Sequence, residues 1–243
     1  MIRYFVIGLI LFLILAISFA PAGLVRYAIP ANANLHLLEP RGTVWNGQAQ
    51  VVLAERNLGR VDWQLQPGSL IALTPAVDWQ LRQADAQLDG EARLAAGDEL
   101  LLLIEGYLDA AALNPWLAQY DIRVPASFDL RDISLAATLS QRFLSSANGS
   151  IHWPGGATRY ALSGEIFDVV LPPLVGQLQD TLDGPQAAIT TQDSSVPLMI
   201  VTQTDPGVVK IGLTKRFTKL LNRPWPGSDA DHVIVLEVEE ALF

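Results

Sequence analysis

Cysteine is absent from the 243-residue sequence. Its absence excludes disulfide bonds, thiolate metal sites, a cysteine nucleophile and a lipid-modified N-terminal cysteine. Histidine is scarce as well, and His36, His152 and His232 each lack a second ligand-type residue at metal-binding spacing. We therefore expect no transition-metal site, and no residue pattern predicts another metal or a cofactor.

Basic residues are few relative to acidic ones. The chain has 16 lysines and arginines against 25 aspartates and glutamates, which gives a formal net charge of −9 and a pI of about 4.7. An acidic protein is repelled by a phosphate backbone. The charge balance therefore argues against nucleic acid as a partner.

Motifs of the common enzyme classes are missing. The sequence has no G-x-S-x-G, H-E-x-x-H, P-loop or G-x-G-x-x-G pattern. The nearest approach to a catalytic pair is Asp62 and Asp78, which occur in two copies of the sequence VDWQL and could face one another as in glycoside hydrolases. Both alternate with glutamines on a polar strand face, where solvated carboxylates are expected. The sequence therefore predicts a protein without enzymatic activity.

Half of the residues are hydrophobic, and the mean hydropathy is +0.28. Much of this excess lies in residues 4–20, which carry no charge. Since about 20 helical residues span a ~30 Å hydrocarbon core, we predict a transmembrane anchor over residues 1–25 and an exported domain over residues 26–243. Arg3 precedes the apolar segment, which favours a cytoplasmic N-terminus. The predicted membrane contacts are Tyr4, Phe5, Leu9, Phe12, Leu15 and Phe19.

A cleaved signal peptide is the alternative interpretation of the same segment. Ser18-Phe19-Ala20 and Ala20-Pro21-Ala22 both fit a small-x-small cleavage site, but the apolar core is longer than the roughly 7–15 residues of a signal peptide. In either case the body of the chain lies across the membrane. In a bacterium that compartment is the periplasm, with which the absence of cysteine is compatible.

Beyond residue 35, apolar and polar residues alternate. Val61, Trp63 and Leu65 alternate with polar residues, and residues 77–81 repeat the pattern. This period is typical of strands with one buried and one solvated face. Two continuously apolar runs, 100–104 and 233–236, predict strands covered on both faces. Further strands are predicted over residues 84–88, 100–108, 128–139, 161–170, 196–202, 208–213 and 233–238.

Helices are expected to be few and short. We predict a turn that begins at Pro115 and is capped by Asn114, and a helix capped by Thr214. Pro172 and Pro173 open a further predicted helix, whose apolar stripe is Leu174, Val175, Leu178 and Leu182. The predicted fold class is mainly β, with an elongated, curved and twisted antiparallel sheet or a sandwich after the N-terminal transmembrane helix.

Two internal repeats are present. The copies of VDWQL at residues 61–65 and 77–81 suit a strand and its return, so both could face the same side. A looser similarity links residues 42–47 with residues 149–155. It suggests two similar halves that meet near residues 110–148.

Two groups of residues are candidates for contact with a partner or with lipid. Trp45, Trp63 and Trp79 either fill a core or line an apolar groove for acyl chains or a protein. The second group, Lys215, Arg216 and Lys219, belongs to a basic cluster that contains every lysine of the chain. This cluster is either a solvated face or a docking patch for an acidic partner or anionic headgroups.

Several short motifs follow one another in an order that resembles the type II secretion system protein N family. The apolar N-terminus is followed by LEPRGTVWNG at residues 38–47 and by the two VDWQL segments. Next come IHWPGG at residues 151–156 and LPPLV at residues 171–175. The ending, NRPWPGSDADHVIVLEVEEALF at residues 222–243, is the most specific part. The resemblance extends over essentially the whole chain.

The resemblance implies a single-pass protein of the bacterial inner membrane with a periplasmic domain. Such a protein would be an accessory component of the machinery that moves folded proteins across the outer membrane, with other components as its partners. The family has no established catalytic residues, so none is implied here. At fold level the chain is also similar to AsmA-like envelope proteins, which are implicated in lipid movement. A lipid-binding or lipid-transfer groove is therefore the alternative function.

Overall fold

The structure is a computed structural model that describes residues 2–29, 35–141, 143–162 and 164–241. It separates into two compact units, Met1–Ala84 and Asp85–Phe243. Both consist mainly of antiparallel strands with a few short helices. The predicted mainly β class is confirmed, while the AsmA-like form, the anchor boundary and the two similar halves stay predictions.

The first unit begins with two helices, α1 (Ile2–Ser18) and a 3-10 helix (Ala22–Ala28). Its antiparallel strands follow chain order as β1 (Leu35–Gly42), β2 (Asn46–Leu53), β3 (Arg56–Leu65) and β4 (Ala76–Gln83). A short helix, α2 (Pro67–Ile71), lies in the β3–β4 connection. The alternating pattern buries one face of this meander, where Trp63 packs with Ala22 of the 3-10 helix and Ala49 of β2.

The second unit contributes the remaining elements. In chain order they are β5 (Ala86–Ala95), β6 (Glu99–Leu108), α3 (Ala110–Leu117), a 3-10 turn (Ala118–Tyr120), β7 (Ile122–Arg123), β8 (Phe128–Thr138), β9 (Phe143–Trp153), β10 (Gly156–Leu162), β11 (Glu165–Leu171), β12 (Leu174–Thr181), β13 (Gly184–Thr191), β14 (Ser194–Asp205), β15 (Val208–Thr214), α4 (Lys215–Leu220) and β16 (Ile234–Ala241).

Within the described residues of the second unit, nine of these strands form one antiparallel sheet in the order β5-β6-β8-β9-β12-β13-β14-β15-β16. A small sheet, β11-β10-β7, packs Val169 and Leu171 against Trp153 of β9. The indole of Trp153 stacks on Phe128 at 5.9 Å between ring centroids and donates a hydrogen bond to the Pro125 carbonyl at 2.8 Å. The packing of Trp153 with Val169 and Leu171 joins the two sheets of the unit.

The helix predicted after Thr214 is confirmed. Thr214 precedes α4, and its hydroxyl accepts a hydrogen bond from the Phe217 amide. The helix ends just before Asn222, which adopts a left-handed φ of 58°. A side-chain N-cap and a left-handed residue after the last turn are the usual helix boundaries.

The helix predicted after Pro172 and Pro173 is wrong, because residues 174–181 form strand β12. Leu174 and Leu178 also lie on one side of an extended chain, since their spacing of four satisfies a period of two as well as a helical period. Strands β9 and β13 pair with both edges of β12, so tertiary hydrogen bonding decides between the two periods. Leu182 lies in the following turn and is fully exposed.

The turn predicted to begin at Pro115 is part of a longer helix. Helix α3 starts at Ala110, and Asp109 caps it by accepting a hydrogen bond from the Ala111 amide at 2.9 Å. Asn114 instead bonds the backbone of Val124, as acceptor at 2.9 Å and donor at 3.0 Å. The predicted strand over residues 161–170 is also corrected, because it is a hairpin of β10 and β11.

The two continuously apolar runs are not covered on both faces, contrary to expectation. Leu101 and Leu103 of β6 are exposed, and their register partners on β5 are Arg93 and Glu91. Strand β16 is similar: Ile234 is 38% exposed and Leu236 is 41% exposed, and a register irregularity in the β15–β16 pairing places them on opposite faces. In this protein, an uninterrupted apolar run therefore corresponds to a strand that is partly exposed to solvent.

Candidate functional site

Helix α1 presents apolar side chains to its surroundings. Most of the predicted anchor residues are exposed, namely Tyr4, Leu9, Phe12, Leu15 and Phe19, while the side chain of Phe5 lies outside the described part of the structure. In the described ranges of the chain, no helix combines the length and apolarity needed to cross a membrane.

The end of α1 is tied to the turn between β1 and β2. The indole of Trp45 donates a hydrogen bond to the Ile17 carbonyl at 2.9 Å. The Val44 amide donates to the Ala20 carbonyl at 2.9 Å. Trp45 is half-buried and joins the apolar helix to the sheet.

The segment GTVWNG forms this turn. Gly42 has a φ of 89°, and the Thr43 hydroxyl accepts a hydrogen bond from the Asn46 amide at 3.2 Å. Gly47 lies beneath the ring of Trp63, which leaves no room for a side chain there. The indole of Trp63 is buried and donates to the Val44 carbonyl at 3.3 Å. The motif therefore specifies a turn and a tryptophan-packing site.

The two VDWQL segments pair directly with one another. Trp63 of β3 lies opposite Trp79 of β4, so the tryptophans share a face as predicted from the repeat. Trp79 is half-buried beside the buried Trp63. The register thus places the two tryptophans next to one another on neighbouring strands. Contact of Trp45, Trp63 and Trp79 with a partner or lipid stays a prediction.

The aspartates of the repeat do not lie opposite one another. Asp62 pairs in register with Gln80, and Asp78 pairs with Gln64. Asp62 is 3.8 Å from the guanidinium of Arg82 in an exposed ion pair. Asp78 accepts a hydrogen bond at 3.0 Å from another glutamine, Gln66. The register thus makes the two carboxylates diagonal neighbours on one polar face rather than a directly opposed pair.

The lysines of the basic cluster have intramolecular partners. Lys215 is 4% exposed, and its ammonium donates a hydrogen bond to the Gly227 carbonyl. Lys219 is exposed and forms an ion pair with Asp231. The hydrogen bond from Lys219 holds the pKa of Asp231 below its usual value, and the charge of nearby Lys215 acts in the same direction. Of these two lysines, Lys219 is the one accessible to a partner.

Arg216 fastens helix α4 to strands β13 and β14. Its guanidinium donates to the Val196 carbonyl at 2.7 Å and to the hydroxyls of Ser194 and Thr191 at 2.8 and 2.9 Å. A planar guanidinium can satisfy several acceptors at once. This geometry gives Arg216 a structural role, and contact of the cluster with a partner stays a prediction.

An apolar row crosses the sheet of the second unit. Register partners on successive strands share a face, so the pairing defines a continuous line of side chains. Every member is apolar or glycine, and none is fully buried. The row runs from β5 to β16 through Leu88, Gly106, Leu130, Ile151, Gly176, Ile189, Met199, Leu213 and Leu236. Sequence reasoning missed this row because it depends on register between strands.

The row ends on β16, which closes one side of the sheet. In the described residues of the second unit, β16 pairs with β15 alone. Ile234, Leu236 and Val238 are each about 40% exposed, at 38%, 41% and 44%. An edge strand with free backbone groups and apolar side chains is a template for another chain. Its apolar run was visible in the sequence, but its place at the edge was not.

No group of three or more histidine, aspartate or glutamate side chains in the described residues is placed to hold a metal ion.

Residues 33–210 match the sequence model of a protein family described as Type II secretion system (T2SS), protein N. The match covers more than half of the chain and includes both the GTVWNG turn and the VDWQL strands. It does not include residues 222–243, on which the sequence resemblance depends most. Neither the curated proteins nor the solved structures compared with the chain include a significant match.

Proposed function

Because the chain belongs to the type II secretion system protein N family, we propose that it is an accessory component of the type II secretion machinery. In this proposal α1 holds it in the inner membrane, and the two β units act in the periplasm through protein contacts. The observation that carries the proposal is the family match over residues 33–210. The exposed apolar surfaces of α1 and β16 support it.

The proposed anchor is α1, because Ala22 of the 3-10 helix that follows it packs with Trp63 in the first unit. The 17 residues of α1 span about 25 Å at ~1.5 Å per residue, near the lower limit of roughly 17 residues for a membrane-spanning segment. No charged residue follows before Arg26. Exposed Phe12 and Phe19 would contact lipid, and Arg3 would keep the N-terminus cytoplasmic.

Extraction of membranes with alkaline carbonate tests the anchor. The full chain is expected to stay in the membrane pellet with residues 1–25 intact in the mature protein. Release into the supernatant, or a mature N-terminus at Pro21 or Gly23, would contradict the anchor and favour a cleaved signal peptide.

Strand β16 is the proposed site of protein contact. A partner strand could add to its free edge while its side chains pack on the apolar residues. Val238→Lys should weaken recovery of partner components with an affinity-tagged chain, because lysine on an edge opposes strand addition. Val170→Lys on β11 is the matched control, since Val170 is an exposed valine on a different sheet. Equal recovery of partner components with both variants would show that β16 is not the site of protein contact.

Secretion is the functional readout. In the source bacterium, deletion of the gene should lower the amount of at least one type II substrate in the medium under inducing conditions. Expression of the full chain should restore it, and so should the double variant Asp62→Asn/Asp78→Asn, because the proposed role needs no catalytic carboxylate. Loss of secretion with the folded double variant would support an enzyme instead.

The second candidate function is a lipid-binding groove, as in AsmA-like proteins. The apolar row of the second unit favours it, because a face that is apolar across nine strands but not fully buried could hold acyl chains. Phospholipid retained by the gently extracted protein, detected by native mass spectrometry, would support this function.

A matched pair of variants tests whether lipid binds to this row or to the opposite face of strand β13. Ile189→Gln should lower the phospholipid retained, whereas Thr190→Gln should not. Ile189 belongs to the row, and Thr190 is a half-buried neighbour with its side chain on the other face. Absence of lipid in the wild-type protein, or equal loss with both variants, would count against the groove.

A further inference from the structure

The connection between β3 and β4 exposes two large apolar side chains. Ile71 is 88% exposed and Leu73 is 84% exposed. No charged residue lies between Asp62 and Asp78, so the connection is neutral along its whole length. Connections at a protein surface are usually polar, so an uncharged apolar tip indicates an apolar environment.

The tip has a defined conformation. The Thr74 amide donates to the Ser69 carbonyl at 3.0 Å, and the Leu73 amide donates to the Leu70 carbonyl at 3.1 Å. These two bonds form the Schellman motif that ends helix α2. The Ser69 hydroxyl closes the base of the connection, because it accepts a hydrogen bond from the Ala76 amide at 2.8 Å.

Leu73 occupies the position of this motif that usually holds glycine. Its φ is 57°, in the left-handed region that is unfavourable for a residue with a side chain. Almost all of the leucine side chain is exposed, so packing within the chain does not explain it. A strained leucine that points outward indicates that its side chain is used outside the chain.

The connection leaves the sheet at the same end as helix α1. The Leu65 amide, at the end of β3, donates to the Trp45 carbonyl at 2.7 Å. The Trp45 indole in turn donates to the Ile17 carbonyl of α1 at 2.9 Å. These two hydrogen bonds, through Trp45, therefore link the base of the connection to the end of helix α1. Phe19, directly after that end, is exposed as well.

We propose that the tip of the β3–β4 connection, residues 70–73, is a second membrane contact that inserts into the surface of the lipid bilayer entered by α1. This inference rests on the anchoring role proposed for α1. Lipid is the occupant that fits, because the tip is apolar, carries no charge for a protein partner to recognise, and adjoins the proposed anchor. Two separated contacts would fix the orientation of the first unit at the membrane.

The cysteine-free sequence allows a direct test. Single cysteines replace Ile71, Leu73, Phe12 and Glu55 in four variants of the full chain, and each is labelled with the fluorophore NBD. The labelled proteins are reconstituted into vesicles of phosphatidylethanolamine and phosphatidylglycerol. Lipids carrying a nitroxide near the headgroup then quench any label at the membrane surface. Phe12→Cys reports insertion of α1, and Glu55→Cys is an exposed control at the opposite end of the sheet.

The proposal predicts a blue shift and nitroxide quenching for the labels at positions 71 and 73, with neither effect at position 55. If aqueous iodide does not quench the label at position 12, but the labels at positions 71 and 73 behave like the label at position 55, the anchor holds and the second contact is wrong. If position 12 is itself open to iodide, the anchor fails and the second contact fails with it.

Discussion

Gly47 shows how a single residue shapes the first unit. A Cβ atom at this position would lie 2.5 Å from the Trp63 ring and 2.8 Å from the Thr43 carbonyl. We expect Gly47→Ala to lower the free energy of unfolding by about 1–3 kcal/mol, because the closely packed tryptophan must shift. Urea unfolding followed by tryptophan fluorescence measures the change.

Gly68→Ala is the matched control for Gly47→Ala. A Cβ atom at Gly68 meets nothing within 4 Å, and the residue lies in helix α2. The alanine should leave stability unchanged or raise it by about 0.5–1 kcal/mol. Equal effects of the two substitutions would show that Trp63 does not pack on Gly47.

Arg216 and Lys219 are neighbours in sequence with different surroundings. Arg216→Ala removes a half-buried guanidinium that satisfies three acceptors, and we expect a loss of about 1.5–3 kcal/mol. Lys219→Ala removes one partner of an exposed ion pair and should cost about 0–1 kcal/mol. Thermal unfolding of both variants checks the order. A larger loss for Lys219→Ala would contradict the structural role of Arg216.

Asp180 makes stability depend on pH. Its carboxylate accepts hydrogen bonds from the Ala147 amide at 2.9 Å and the Ser146 hydroxyl at 2.7 Å, and these bonds lower its pKa in the folded protein. A lowered folded pKa gives stability that is present above the unfolded pKa and is lost as pH falls through the folded value.

Asp180→Asn should therefore lower the Tm at neutral pH. The difference from wild type should shrink on acidification and vanish once the carboxyl group is protonated in the folded state. Asp183→Asn, in the turn after the same strand, is the control for an acidic side chain outside this network. A Tm difference for Asp180→Asn that stays constant with pH would contradict the assigned contacts.

At the scale of elements, the end of α2 stores strain. Leu73 is left-handed at a position suited to glycine, so Leu73→Gly should raise the free energy of unfolding by about 1 kcal/mol. The same substitution removes an apolar side chain from the proposed membrane contact. Chemical denaturation measures the gain, and a destabilised variant would contradict the stored strain.

Period-two alternation predicted most of the strands correctly because one face of each is more buried than the other. The same reasoning failed at β12, where leucines four residues apart satisfy two periods and pairing with β9 and β13 decides between them. It also merged parts of β10 and β11 into one predicted strand over residues 161–170, since the sequence pattern did not reveal the turn at Gly164. The local sequence pattern thus predicts which segments are extended, but it does not predict which strands pair with one another.

The candidate surfaces were predicted unevenly for the same reason. The apolar stretch of α1 and the paired tryptophans of the VDWQL repeat are visible in the sequence, because they depend on near neighbours. The apolar row from Leu88 to Leu236 depends on register across nine strands, which no short pattern encodes. The burial of Lys215 likewise follows from the segment around Gly227 that folds over α4.

At the scale of the whole molecule, family membership assigns the chain to type II secretion, and its exposed surfaces suggest how it takes part. Helix α1 and the β3–β4 tip belong to the first unit, while the β16 edge and the apolar row belong to the second. The proposed membrane contacts thus lie in the first unit, and the proposed partner and lipid surfaces lie in the second.

Co-purification tests whether the protein works with the type II secretion machinery. The full chain, carrying a C-terminal affinity tag and expressed at its natural level, is cross-linked in living cells and purified from solubilised membranes. Mass spectrometry then identifies the proteins that accompany it. We expect enrichment of other type II secretion components over a control purification with an unrelated tagged protein of the inner membrane. Recovery of no secretion component above that control, under conditions that induce secretion, would contradict it.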